Sequence, residues 1–131
     1  MAAGSFAGED GPVPAAVLIV DDNARFRVRA RRLLEASGYT VVGEAPDGAA
    51  ALEVAGRLRP DVVLLDLVLP DMSGLSVAER LTGGPDPPAV VLTSTHDAAD
   101  FGERIARCGA RGFVPKGELS AEALSGLLRE A

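Results

Sequence analysis

The 131-residue sequence contains one cysteine, Cys108, and one histidine, His96. A single cysteine excludes an internal disulfide framework and any cysteine-rich zinc site. A single histidine excludes metal clusters built on imidazole. No run of about 18 apolar residues occurs, so no membrane-spanning helix is expected. The amino terminus lacks a basic segment followed by an apolar core, which argues against a secretory signal and for a cytoplasmic protein. Positive charge is in short supply: 13 Lys plus Arg against 19 Asp plus Glu leave a net charge of −6. Such a chain is poorly suited to gripping nucleic acid by general electrostatics.

What remains has the make-up of an ordinary globular domain, 47% apolar and 24% charged, and its length fits one domain that buries a full core without metal or disulfide help. Residues 1–14 are rich in Gly, Ala and Pro and show no periodicity, the pattern of a flexible tail. From Ala15 onward short apolar runs alternate with helical patterns. Ala16–Val20 is the first run, and Asp21-Asp22-Asn23 is a helix-start signal. Phe26, Ala30, Leu33 and Leu34 then mark one face of a helix over 24–37, with Arg25, Arg29 and Arg32 on solvated faces and Gly38 as its C-cap. Thr40–Ala45 is a second strand. Asp47 caps a helix that ends before Pro60. The third strand runs over Asp61–Asp66, and Pro70, Asp71, Ser73 and Gly74 form a turn before a short helix to about Leu81. After the breaker Gly83–Pro88, Ala89–Thr93 is strand four. Asp97 caps a helix carrying Ala98, Phe101, Ile105 and Cys108 on one side. Gly112–Val114 is strand five, and Ser120 caps a last helix that buries Leu124, Leu127 and Leu128. Five βα units with apolar, non-alternating strands predict an α/β fold, a doubly wound parallel sheet covered on both faces. Ligands of such sheets bind at the carboxyl ends of the strands.

Those ends carry the chemistry. Asp21 and Asp22 follow strand one, Asp66 ends strand three, Thr93 ends strand four, and Lys116 lies just past strand five. Three converging carboxylates repel one another, and a hard divalent cation resolves the conflict. Mg²⁺ in particular binds through one or two carboxylates plus phosphate oxygens, so the set suits the handling of one phosphoryl group. No Gly-rich Walker loop and no dinucleotide fingerprint is present, so that group does not arrive on a nucleotide bound here. Lys116 is the one lysine among thirteen basic residues. A compact ammonium at this position does what a planar guanidinium cannot in a tight site.

The order Val-Asp-Asp-Asn, Asp-Leu-Val-Leu-Pro-Asp-Met-Ser-Gly, Val-Leu-Thr-Ser and Gly-Ala-Arg-Gly-Phe-Val-Pro-Lys resembles a response-regulator receiver domain of the CheY-like family over about residues 15–131. The Gly-Ala-Arg-Gly-Phe stretch is similar to that of receivers from NarL/LuxR-type regulators. The resemblance implies a flavodoxin-like sandwich with strand order 2-1-3-4-5. It implies that Asp66 accepts a phosphoryl group from a sensor histidine kinase or phosphotransfer protein. Asp21, Asp22, Asp66 and the backbone carbonyl of Val68 are implied to hold Mg²⁺, and Thr93 and Lys116 to bind the phosphoryl group. Thr93 and Phe113 resemble the switch pair. Helix four, strand five and helix five, roughly Asp97–Ala131, resemble the face that engages an output domain or a second copy. Such a domain is a signalling module with at most self-phosphorylation and self-dephosphorylation activity. Here Gly117 follows the lysine where the family usually has Pro.

Two other readings compete. A haloacid-dehalogenase-type phosphatase or phosphotransferase also uses aspartate and Mg²⁺ on a parallel sheet, but resembles Asp-x-Asp after the first strand, and this chain has adjacent aspartates there. A degenerate receiver would act only as a binding module, yet the key side chains are present. Taken alone, Asp21 and Asp22 would read as helix caps, Thr93 as a strand terminus, Phe113 as core and Cys108 as a buried small hydrophobe.

Overall fold

The computed structural model describes residues 15–95 and 101–129. Strands β1 (Ala16–Val20), β2 (Thr40–Ala45), β3 (Val62–Asp66), β4 (Ala89–Ser94) and β5 (Gly112–Pro115) alternate with helices α1 (Ala24–Ala36), α2 (Gly48–Leu58), α3 (Gly74–Thr82), α4 (Glu103–Arg107) and α5 (Ala121–Arg129). The strands form one parallel sheet in the order β2-β1-β3-β4-β5. This is the expected flavodoxin-like arrangement. Among the described residues no helix is long and apolar enough to cross a membrane.

The continuous apolar runs follow from the two layers. Side chains along a strand alternate between faces, and here both faces are covered. Val17 and Ile19 of β1, Val62 and Leu64 of β3 and Val91 of β4 pack with Phe26, Ala30 and Leu34 of α1 and Leu124 of α5. Leu18, Val20, Val63, Leu65, Val90 and Leu92 face the other way, against Ala51 and Ala55 of α2 and Leu75, Val77 and Ala78 of α3. Each fully buried leucine or valine of this kind contributes about 1.5–3 kcal/mol. The central strands are therefore the rigid part of the molecule, and their carboxyl ends are held by packing on two sides.

Several boundaries move from the sequence reading. The C-cap of α1 is Ser37, and Gly38 follows it at φ +95°, where a left-handed residue closes the helix. The described part of the fourth helix is one short segment, Glu103–Arg107, with Phe101 before it and Cys108 as its C-cap. Asp97, Ala98 and His96 lie outside the described residues. Ser120 does cap α5, its Oγ accepting from the Ala123 N–H at 3.0 Å. Leu124 is fully buried, whereas Leu127 and Leu128 are only partly covered. Leu127 lies over Gly112 of β5, and both leucines pack at the margin of the α1/α5 core.

Asp71 is a correction of substance. The Pro-Asp pair reads as turn chemistry, but the Asp71 carboxylate reaches across to the start of α2. Its Oδ1 accepts from the Gly48 N–H at 2.8 Å and its Oδ2 from the Ala49 N–H at 2.9 Å. Asp47, the local cap, satisfies only the Ala50 N–H. The first N–H groups of a helix have no partner within it, and here a second loop supplies one. The two backbone N–H bonds hold the Asp71 carboxyl below the usual carboxylate range.

Gly74 fixes where α3 begins. A Cβ there would collide with the Asp66 carbonyl oxygen and come within 2.7 Å of the Leu67 Cα. Both obstacles are backbone and do not yield. Gly74→Ala is therefore expected to destabilise the fold by about 1–3 kcal/mol through overpacking, measured by urea unfolding. Gly56→Ala, where no atom lies within 4 Å of the added carbon, is expected to be neutral or stabilising.

Candidate functional site

The sheet order brings β1 and β3 side by side at its centre, so their carboxyl ends meet. Asp21, the first residue past β1, is fully buried, and Asp66, the last residue of β3, is 4% exposed. Asp22 is exposed at the rim. One carboxylate oxygen from each of the three lies within 4.8 Å of the others. Lys116 opens the turn after β5 and extends over the end of β4. Its Nζ lies 2.6 Å from Asp21 Oδ2 and 3.1 Å from Asp66 Oδ2. The Asp66 contact is a hydrogen bond. The Asp21 contact is the shorter of the two, an ion pair between the ammonium and a fully buried carboxylate.

Helix capping does not consume the acids. Asn23 is the N-cap of α1, and its Oδ1 accepts from the N–H groups of Arg25 and Phe26. Asp21 Oδ1 accepts the Asn23 N–H at 2.9 Å, which turns the other oxygen inward. Asp66 Oδ1 accepts the Val68 N–H at 3.0 Å. Thr93 pairs with Asp66 in register between β3 and β4. Its hydroxyl is buried and has no hydrogen-bond partner. Phe113 lies opposite Leu92 on β5 and is half-buried against the α2/α3 side of the core. Val68 is 48% exposed, with its side chain outside the cluster of acids.

Burial pushes the Asp66 carboxyl above its ordinary range, and the neighbouring Asp21 charge pushes the same way; the Val68 N–H and Lys116 oppose them. Burial works against the Lys116 ammonium, but the carboxylates of Asp21 and Asp66 outweigh it and hold its pKa above the ordinary lysine value. The donor set fits a hard divalent cation. Three carboxylates face one ammonium, and two of the three are buried. Mg²⁺ favours oxygen ligands of this type.

One supporting residue escapes the sequence reading. The arginines of α1 read as a solvated face, yet Arg27 Nη1 donates to the Asp21 carbonyl at 2.6 Å while its Nε pairs with Glu44 at 2.9 Å. Arg31 holds the other Glu44 oxygen at 2.9 Å. Arg27 and Arg31 are spaced i, i+4 on one helix face, which is a visible pattern. Their shared acceptor on β2 is set by the sheet.

A family model described as the response regulator receiver domain matches residues 17–128. The chain belongs to that family, a module of two-component signalling. A transcriptional regulator of Pseudomonas aeruginosa is 42% identical over 108 residues, covering 82% of this chain and 52% of the relative. The solved signal receiver domain of the response regulator NarL from Mycobacterium tuberculosis superposes with a TM-score of 0.79 at 37% identity, covering 90% of this chain and 96% of the other. A two-component response regulator of the LuxR family from Aurantimonas gives 0.80 at 29% identity, with 89% and 84% covered. The chain spans about half the length of the first curated relatives it matches. Family membership sets aside the haloacid-dehalogenase reading.

The raised Asp66 pKa has a stability consequence. A carboxyl whose folded pKa exceeds its unfolded value stabilises the fold when protonated, and that contribution is lost as pH rises through the folded pKa. At neutral pH ionised Asp66 is thus a cost. Asp66→Asn keeps an acceptor for the Val68 N–H and removes the charge. In metal-free buffer it is expected to raise Tm at pH 7 by a few degrees, with the gain shrinking as the pH falls through the Asp66 pKa. Thermal melts across that range check this; an unchanged or lower Tm at pH 7 contradicts it.

Proposed function

We propose that this receiver accepts a phosphoryl group on Asp66 from a phosphohistidine of a sensor histidine kinase or phosphotransfer protein, and that the modification resets its α4-β5-α5 face. The observation that carries the reading is the buried Thr93 hydroxyl, without a partner, beside the Asp66 carboxylate that Lys116 holds. A buried polar group left unpaired is costly, and a phosphoryl oxygen on Asp66 would supply its acceptor.

An Asp66 carboxylate oxygen attacks the phosphorus, and the P–N bond to the donor imidazole breaks. The electron pair leaves on the ring nitrogen, which takes up a proton. Phosphoryl transfer depends mainly on positioning and charge stabilisation. Lys116, already at the Asp66 carboxylate, meets the new negative charge. Asp21, Asp22, Asp66 and the Val68 carbonyl would hold Mg²⁺, which when bound neutralises charge on the phosphoryl oxygens. Thr93 turns its hydroxyl to the phosphoryl group, and Phe113 follows inward into the space that movement frees. Only the phosphorylated state offers these bonds, so the modification biases a two-state element.

The relatives are about twice as long and include transcriptional regulators. That supports a transcriptional output domain, or a second copy of the chain, as the partner of the switching face. A net charge of −6 argues against this domain contacting nucleic acid itself.

Incubation with Mg²⁺ and acetyl phosphate is expected to add one phosphoryl mass to the wild type and none to Asp66→Asn. A mass shift that survives the substitution overturns the assignment. The phosphoryl group is also expected to be long-lived. Hydrolysis needs an in-line water, and a misplacement of about 1 Å can cost about 10²-fold. Val68 has no polar side-chain atom to hold that water, and Thr95 is short and exposed. Val68→Asn and Thr95→Glu are expected to speed decay of the phosphorylated form in Mg²⁺ buffer. Decay no faster than wild type in both variants would show that these positions do not control the water.

A further inference from the structure

Lys116 has a third neighbour besides its two carboxylates. Its Nζ lies 4.7 Å from the centroid of the Phe26 ring. The Arg29 guanidinium carbon lies 5.8 Å from the same centroid, and Arg29 Nη2 donates to the Lys116 carbonyl at 3.3 Å. Phe26 is 7% exposed and sits in the first turn of α1, where the Asn23 side chain caps its N–H. Helix α1 therefore contacts both ends of the lysine, its carbonyl through Arg29 and its ammonium through Phe26.

The site needs such a contact. Beside Lys116 opens a cavity of about 270 Å³ lined by Asn23, Arg25, Phe26, Arg29, Thr95 and Lys116 itself. A lysine stem is flexible, and this space would let the ammonium swing away from the acids. The ring attracts the ammonium through its negative face. That attraction has no fixed donor–acceptor line, so the ammonium can shift from a carboxylate to a phosphoryl oxygen while keeping its third contact. A hydrogen-bonding side chain in place of the ring would compete for the same N–H groups.

We propose that Phe26 is a positioning residue for phosphoryl acceptance: its ring, with Arg29 beside it, is a cation–π seat that keeps the Lys116 ammonium over Asp66. The proposal rests on the reading of Asp66 as the acceptor. Lys116 is the only lysine in the sequence, so protein labelled with ¹³C,¹⁵N-lysine reports this one side chain. In metal-free wild type the Lys116 ε-methylene protons are expected upfield of free lysine, shifted by the ring current. Phe26→Tyr retains the shift and Phe26→Leu loses it. With Mg²⁺ and acetyl phosphate, Phe26→Leu is expected to lower the maximal rate of Asp66 phosphorylation roughly fivefold, the scale of one lost cation–π contact, at nearly unchanged KM for the donor. Phe26→Tyr restores the rate. A purely structural role would lower Tm and leave the rate of the folded variant intact. If Phe26→Leu does not fold, Phe26→Met and the wild-type shift decide. The seat is overturned if the wild-type lysine resonates at its free position, or if the folded Leu or Met variant is phosphorylated at the wild-type rate. A wild type that takes no phosphoryl group overturns the Asp66 reading itself, and the lysine shift then shows whether the ring contact stands without it.

Discussion

The contact on which this molecule's working edge depends is the one between the Lys116 ammonium and the two buried carboxylates of Asp21 and Asp66. Burying like charges side by side removes their solvation and adds repulsion. One ammonium at 2.6 and 3.1 Å offsets part of both. Lysine suits the task by shape. It starts from the end of β5, two strands away from β3, and its stem must cross the end of β4 to reach Asp66. A guanidinium could bridge two carboxylates as well, but its planar fork fixes the geometry of the contact. An ammonium shared between two oxygens and an aromatic face has more freedom to change partners.

Helix α1 organises the acidic end of this contact. Its cap is Asn23, so the preceding aspartates are spared that work. Arg27 ties the Asp21 carbonyl to Glu44 of β2, and Phe26 and Arg29 bear on Lys116. A helix that begins at the site and packs Phe26, Ala30 and Leu34 into the core is a rigid reference for groups that must hold still. The loop after Asp66 is fixed in a comparable way. Gly74 lies against the Asp66 backbone, and Asp71 binds the first N–H groups of α2. Between them, the segment that leaves Asp66 is anchored to two neighbouring helices.

The alternation of βα units, the strand bounds to within a residue and most of the core faces of the helices were legible in the sequence because they are local. Ala16–Val20 is a short apolar run between polar breaks, Thr40–Val42 opens β2 with β-branched residues, and Phe26, Ala30 and Leu34 recur at helical spacing. The set of Asp21, Asp22, Asp66, Thr93 and Lys116 was legible for a different reason. In a doubly wound parallel sheet every strand's carboxyl end faces the same edge, so position at a strand end is already information about proximity.

What local pattern could not determine was the partner of each long polar side chain. Asp71 sits in a Pro-Asp turn by sequence, but its acceptors are used 23 residues away on α2. Arg27 is one of several arginines on α1, and only the placement of β2 beside β1 gives it Glu44. Phe26 is a core position by periodicity, and only the return of the chain after β5 sets the Lys116 ammonium on its ring. The sequence by itself thus determined the elements and the edge at which the chemistry gathers, because hydrophobic period and strand polarity act over a few residues. The tertiary structure alone decided which charge meets which, because a side-chain contact of about 3 Å depends on strand order and register that no single segment contains.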